Sequence, residues 1–596
     1  MDYELDHNAS LSDDIRFREL IGRNLFSSNA FNETATFNTV EPFINKGFDA
    51  VVGNPPWTQS KANHLATNYC KRKRPDEGYP GGYPIARSEN PDQAFLWRVG
   101  DFANENTSIG LILHSKPFFS NTQKAWRAKE ALFKRFKPRV VINLSKLRRD
   151  RLFPNSEAPA MVFIGKGCKS QQKDSFYLVC PERSLDFRQH GIIEISPENI
   201  KRLPVYAIAT DPDMLKVASW AGARDSCLIQ KLRTEFPCIE EVIGKPISNG
   251  FKAGIGKEVP EELLLKKWLS SGEMQKYQVD SNKLGLLLYI QMESSRKPEI
   301  YDSPLVIISQ TPDPEGVYSA FSEEVIVYTQ RYSGISFSYK QVKLAHYINA
   351  IINSAVASYF LFLTSASWGV ERDEVKTQDL SRLPVPTPSA ENANLISQIV
   401  AIEHQLRTSS SAGYQSLKNQ LNEAVFELYS LDQTEKVLVE DGVNLTINLR
   451  MEREASIALS KPTLDELKLY ALQLIGVIQP FLQTLRERVL VADVLEVSKS
   501  PLQVVKFSFV PAPGREQIVQ TTQVQELKTV LNRIAEQLPQ QIADRIYTRR
   551  DLRIYTGQDI YIIKPAQKRY WSRSAGLNDA DLIISEHLRV NRAAIR

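Results

Sequence analysis

Phe48-Asp49-Ala50-Val51-Val52-Gly53-Asn54-Pro55-Pro56-Trp57 constrains this chain more than any other stretch. A short apolar run, strand-like in composition, ends in a rigid turn with a polar tip. Two consecutive prolines fix the backbone and remove two N–H donors. The carbonyls of that turn are left to accept bonds from something else. The Asn54 side chain adds an acceptor beside them, and Trp57 adds a flat π face. Such a turn is a receptor for a planar group bearing an NH2. An adenine held out of a duplex presents one.

The full string from Gly47 to Trp57 resembles motif IV of the N6-adenine DNA methyltransferases, in the form found in large restriction–modification methylases of Type IIG or N-6 DNA methylase type. The resemblance implies a mechanism. Asn54 and the Pro55 carbonyl accept from the amine, Pro56 stiffens the turn, and Trp57 stacks on the flipped base. The cofactor implied is S-adenosylmethionine, with no metal. Further strings fit the same family. Asn90 to Arg98 reads as a helix start with Asp92 near a capping position. Ile109 to Lys116 and Arg139 to Leu144 read as buried strands. Arg151-Leu152-Phe153-Pro154, followed by Ala160 to Ile164, is similar to the family's late hairpin. The resemblance there assigns Phe153 to the other face of the base; an ordinary core phenylalanine fits equally.

The departure from the family is as informative. A methyltransferase of this kind carries a Gly-rich turn after its first strand, where the backbone closely approaches the cofactor. Only 53 residues precede Asn54, and none forms such a turn. Leu20 to Leu25 reads as a later strand, with Asn24 a weak candidate for contact with the cofactor's adenine. The expectation is a fold lacking its N-terminal S-adenosylmethionine-binding motif. Either a protein subunit carrying the Gly-rich loop supplies it, or the reading frame is truncated, or catalysis is lost. Gly254-Ile255-Gly256-Lys257 lacks the spacing and the Ser/Thr of a phosphate loop. Gly78 to Pro84 reads as a mobile loop, either a lid over the base or plain surface.

Composition sets outer bounds. At 596 residues, with 42% hydrophobic and 24% charged residues, several domains with real cores are expected. A net charge of +5 permits nucleic-acid binding through local patches without demanding it. The run Lys71-Arg72-Lys73-Arg74 is a candidate for phosphate contact. Five dispersed cysteines form no CxxC pair, which argues against structural zinc and a disulfide framework and suits a cytoplasmic protein. The acidic start, Met1 to Asp6, is unlike a signal peptide. Tyr347 to Thr364 approaches membrane-span length. Its Asn349, Asn353, Ser354 and Ser358 share one helical side, so a packed helix and no membrane are expected.

The fold class expected is α/β, in segments. Residues 1–166 form a partial Rossmann-like methyltransferase domain, and 167–240 a connector. Residues 241–388 resemble the α+β target-recognition domains of restriction–modification methylases and Type I specificity subunits. The strings Ile247 to Lys252, Tyr347 to Ser354, Trp368 to Arg372 and Asp379 to Pro386 carry that likeness. Residues 389–435 read as a helical spacer, and 436–596 as an α+β C-terminal domain of unassigned role. In the last, Arg545 to Arg550 and Lys564 to Arg573 interleave basic and aromatic residues. That pattern suits phosphate contact with base stacking, or a solvated face over buried rings. Glu374 with Lys376 reads as a solvated helix face.

The first functional expectation is therefore an adenine-specific DNA methyltransferase of a restriction–modification or phage-defence system, acting on double-stranded DNA, with activity requiring a partner chain. The second is a non-catalytic target-recognition subunit with a vestigial methyltransferase half. A third, glutamine methylation in proteins, uses a similar Asn-Pro-Pro turn; Trp57, where those enzymes typically have tyrosine, argues against it.

Overall fold

The computed structural model describes residues 31, 47–57, 64–72, 82–86, 91–150, 152–153, 156–183, 185–195, 199–270, 274–288, 291–294, 296–408, 411–481, 488–497, 500–511, 518–524, 532 and 552–594. Two units are distinguished. The first comprises residues 1–194 and 200–215, the second 195–199 and 216–596.

The first unit is built on a six-stranded mixed sheet. Its strands are β1 (Phe48–Gly53), β2 (Ala103–His114), β3 (Lys137–Asn143), β4 (Ala160–Lys166), β5 (Ser175–Val179) and β6 (Ile200–Pro204). They lie in the order β1-β2-β4-β3-β5-β6. β1 runs parallel to β2, and β3 parallel to β5. β4 is antiparallel to both β2 and β3, and β6 is antiparallel to β5. The crossover from β1 to β2 carries α1 (His64–Arg72) and α2 (Asp92–Val99). α3 (Gln123–Arg135) leads from β2 to β3.

Local chemistry explains α3. Thr122 caps it by accepting from the Ala125 N–H at 3.2 Å, and Lys134 and Arg135 lie in the last turn, where the helix dipole favours cations. Its Phe133 packs on Phe163 of β4 and Phe176 of β5, at 6.1 and 5.3 Å between ring centroids. Trp97 of α2 lies against Phe136 just beyond α3. The helices thus share the face formed by Ile109, Leu111, Leu113, Val141, Met161, Phe163, Phe176 and Leu178, all buried.

The sheet does not stop at residue 166. β5 and β6 lie in the stretch expected to be a connector; β6, the edge strand, is half-exposed and therefore reads as polar.

In the second unit a five-stranded sheet has Leu305–Ser309 at its centre. Two further helices, α4 (Val342–Ile352) and α5 (Ala355–Thr364), replace the single helix expected over Tyr347 to Thr364. They meet at a bend of 63°. Asn353 ends α4, and Ser354 starts α5 by accepting from the Ala357 N–H. The polar side read from the sequence faces the sheet. Asn349 and Asn353 bond Ser319, and Ser358 accepts from the Val317 N–H at 3.0 Å. Among the described residues no single helix is long and apolar enough to cross a membrane.

α6 (Ala393–Thr408) and α7 (Ser411–Leu428) form the helical segment after the proline-rich strand. They are no free-standing spacer. Ile396, Ile399, Leu421 and Val425 enter the same core as Ile348, Ile351, Phe360 and Leu361. Further along, α8 (Leu464–Phe481) and α9 (Arg573–Ala594) accompany a second five-stranded sheet that includes Leu502–Pro511. Val524 to Ile546, whose sequence reads as an amphipathic helix, lies almost wholly outside the described residues.

Candidate functional site

β1 delivers Asn54-Pro55-Pro56-Trp57 to the C-terminal end of the parallel pair β1–β2. In open α/β sheets ligands bind at that end of the strands. Asn54 and Pro56 are exposed, Pro55 is buried and Trp57 is half-buried. The Asn54 side chain has no protein partner among the described residues. Trp57 is held in place: its indole N–H donates to the Ile112 carbonyl of β2 at 3.1 Å. Its ring meets His114 at 6.5 Å and Phe153 at 5.1 Å between centroids.

Phe153 is thus brought to Trp57 from 96 residues further along the chain. The two rings are nearly perpendicular, at 83°. That is the edge-to-face contact aromatic rings favour, and it leaves no slot between them. A base entering between the rings would displace Phe153. Both rings join a small apolar cluster with Ile112, Ile142, Leu147, Val162 and Phe187.

Asp92 is the group at this site whose importance the sequence understated. It is the first residue of α2 rather than its cap. Its Oδ2 accepts from the His114 N–H at 3.0 Å, tying α2 to the end of β2. The carboxyl is fully buried and its Oδ1 has no hydrogen-bond partner. Burial pushes its pKa up to about 7, against lowering by the backbone N–H donors of His114, Gln93 and Asp92 itself. Only the proximity of Asp92 to an apolar helix could have signalled this, and the same pattern marks ordinary caps.

The expected mobile loop is fastened over its described part. Tyr83 is buried and stacks on Trp97 at 4.3 Å with 7° between ring planes. The Trp97 indole N–H donates to the Pro84 carbonyl at 3.0 Å, and Tyr83 N–H to the Cys70 carbonyl at 2.9 Å. Gly82 permits this approach: at φ +87° a side chain is strained, and a Cβ there would lie 2.3 Å from the Cys70 carbonyl oxygen. Lys71 and Arg72 are exposed at the end of α1. Asn24, Lys73, Arg74, Gly78 to Gly81, Asn90, Arg151, Pro154 and Arg545 to Arg550 lie outside the described residues.

Among the described residues, only Phe31 and Gly47 precede β1.

Elsewhere, the basic–aromatic tail takes the bland form. Lys564 is buried against Asp579 at 2.6 Å, Lys568 pairs with Glu466 at 2.7 Å and Arg573 with Glu440 at 2.7 Å. Trp571 is buried, its N–H bonded to the Pro565 carbonyl. Glu374 and Lys376 pair with each other at 2.5 Å, outside any helix.

Residues 6–148 match the family model described as Eco57I restriction-modification methylase. Over that segment the likeness to restriction–modification methylases is shown. No curated protein matches the chain. Among solved structures, the Type IIL restriction-modification enzyme MmeI in complex with DNA is similar at 12% identity and a TM-score of 0.42, over 72% of this chain and 60% of that one. The type IIG restriction endonuclease BpuSI is similar at 10% identity and a TM-score of 0.27, over 70% and 55%. A methyltransferase subunit of a type I restriction-modification system from Streptococcus thermophilus is similar at 18% identity and 0.23, over 31% and 40%. The chain thus spans about 60% of the length of the first of these.

Proposed function

We propose that this chain is the base-binding and target-recognition part of a DNA methyltransferase that modifies adenine N6 in double-stranded DNA, in a restriction–modification or phage-defence system, with S-adenosylmethionine as methyl donor. The observation that carries the reading is the exposed, unpartnered Asn54 side chain at the strand end, beside an indole fixed by the Ile112 carbonyl. The family match over residues 6–148 supports it.

In this reading Asn54 and the Pro55 carbonyl accept from the exocyclic amine of a flipped adenine. Two acceptors in that position draw the nitrogen lone pair out of the ring's π system and aim it away from the turn. Trp57 offers its face to the base, and the flip displaces Phe153 from its contact with Trp57. In this reading a protein subunit carrying the Gly-rich turn supplies the cofactor and its methyl group. The segment 241–388 contacts the target sequence. In this reading the protein acts in the cytoplasm.

Asn54→Ala tests this. In the assembled enzyme it should lower transfer of a labelled methyl group to duplex DNA by at least ~100-fold, the scale for loss of one well-placed polar group, with DNA affinity unchanged. Undiminished transfer would sink the reading. The alternative reading is a non-catalytic recognition subunit. For it, no preparation would transfer methyl groups while DNA binding persisted.

A further inference from the structure

α6 carries a carboxylate where its pattern calls for an apolar side chain. Its buried positions are Ile396, Ile399, Val400, Ile402, Glu403 and Leu406, and Glu403 is fully buried. A buried carboxylate is costly unless charge or hydrogen bonds compensate it. The compensation comes from α4. The Asn349 amide donates to Glu403 Oε1 at 2.6 Å, and His346 Nδ1 lies 2.9 Å from Glu403 Oε2. His346 and Asn349 are three residues apart, so one helical side presents both. His346 is itself buried. The strand Ser319–Ser322 sets Phe321 against the His346 ring, at 4.0 Å between centroids. His404, the next residue of α6, brings a second imidazole to 4.2 Å from the first. Unlike the other two, His404 is exposed.

Two imidazoles and a carboxylate thus converge from two helices. One ligand atom from each of His346, Glu403 and His404 lies within 4.8 Å of the other two. Nitrogen and carboxylate donors hold Zn2+ at about 2.0–2.2 Å in a tetrahedron, which sets them about 3.4 Å apart. Closure therefore asks for a shift of roughly 1–1.5 Å. The exposed His404 side chain can make it by rotating, without disturbing the core. An ion would replace the hydrogen-bonding proton between His346 Nδ1 and Glu403 Oε2, because metal ligands bind deprotonated. Its fourth position would open past His404 and take water. The carboxylate is already oriented for this. Asn349 holds Oε1, and Asn349 is in turn held by the Ser319 hydroxyl at 2.7 Å and the Tyr277 carbonyl at 3.2 Å. Outer partners of this sort fix a ligand and strengthen binding. The other charges nearby oppose one another, since Glu323 and Arg407 act on His404 with opposite sign. The Arg407 guanidinium itself stands over the Phe321 ring, 4.8 Å from its centroid.

We propose that His346, Glu403 and His404 are the protein ligands of one Zn2+ ion, which pins α6 to α4. The role is structural. α4 is tied to the sheet through Asn349, Asn353 and Ser319. α6 follows the proline-rich strand, so the ion fastens the helix after that strand to the helix already held on the sheet. Methyl transfer as read above uses no metal, and the site does not depend on that reading.

The test uses the full chain, stripped with a chelator, then titrated with Zn2+ by calorimetry and with Co2+ by visible absorption. The expected result is one ion per chain, with the intense Co2+ bands of a tetrahedral site. The melting temperature should rise with the logarithm of the Zn2+ concentration. His404→Ala changes an exposed residue, so the circular dichroism should stay the same. It should weaken Zn2+ binding by at least ~100-fold, beyond what loss of an outer partner costs. Glu403→Gln keeps an oxygen for Asn349, removes the charge and should weaken binding at least as much. His190→Ala alters an exposed histidine of the first unit and should change nothing. Absence of saturable binding of both ions overturns the proposal. So does binding that survives His404→Ala. Binding that His190→Ala weakens equally also overturns it, by marking capture at surface histidines. Should Glu403→Gln fail to fold, His404→Ala decides alone.

Discussion

Asp92 gives the sharpest test of how the site is held. Its carboxyl is buried, with Oδ2 on the His114 N–H and Oδ1 unpartnered. Its pKa is raised from 3.8 to about 7. A raised carboxyl pKa means that the folded state binds the proton more tightly than the unfolded state. The associated stability is fully present below the unfolded pKa and is lost as pH rises through the folded one. A shift of about three units corresponds to about 4 kcal/mol between those limits. Between pH 5 and 8.5 the loss from this one group is about 3 kcal/mol. Asp92→Asn removes the titration and keeps an oxygen for the His114 N–H. It places an unpartnered NH2 where Oδ1 stood, at a pH-independent cost of about 1–3 kcal/mol. Urea unfolding followed by tryptophan fluorescence at pH 5, 6, 7 and 8.5 measures both chains. The wild type should lose about 3 kcal/mol relative to the variant from the lowest to the highest pH. Parallel profiles would refute the reasoning, because Asp92 would then be ionised throughout or satisfied by a donor at Oδ1.

Phe133→Ala removes a ring wedged against Phe163 and Phe176; thermal unfolding should show about 3–5 kcal/mol of destabilisation. Asp579→Ala leaves Lys564 buried without its carboxylate. It should cost about 3–5 kcal/mol, seen as earlier melting, while Asp579→Ala combined with Lys564→Met recovers much of that loss. Trp57→Phe keeps an aromatic face but loses the bond to the Ile112 carbonyl. The assembled enzyme should keep DNA affinity and lose turnover, so an unchanged kcat would count against a positioned indole. Glu315, held down to about 2 by Lys276 and Lys418 against the opposing effect of burial, contributes stability above its unfolded pKa. That contribution should fall away between about pH 4.5 and 2 in a denaturation series, and Glu315→Gln should abolish the dependence.

Much of the first unit was legible because its signals are local. β1, β2 and β4 are apolar runs bounded by turns, and Asn54 to Trp57 is a contiguous motif. Misreadings arose where burial is decided at a distance. β6 looked like connector because an edge strand needs few apolar residues. The span Tyr347 to Thr364 looked like one helix because periodicity continues through Asn353 and Ser354; the break is set by capping and by Ser319 on the facing sheet. Gly78 to Pro84 looked loose because glycine and proline are turn formers. Tyr83 is nevertheless buried by a tryptophan fourteen residues away.

The sequence by itself determined the chemistry of the turn: two prolines, an amide and an indole are what they are in any fold. It also determined that a Gly-rich cofactor turn does not precede them among the 53 residues before Asn54. Only the tertiary structure decided which way that turn faces, that Phe153 reaches Trp57, and that Asp92 is buried rather than capping. It alone shows that Val52, Ile164 and Tyr177 are exposed on one face of the mixed sheet. The reason is that side-chain alternation along a strand records which residues share a face, while what lies over that face belongs to other parts of the chain, or to another chain.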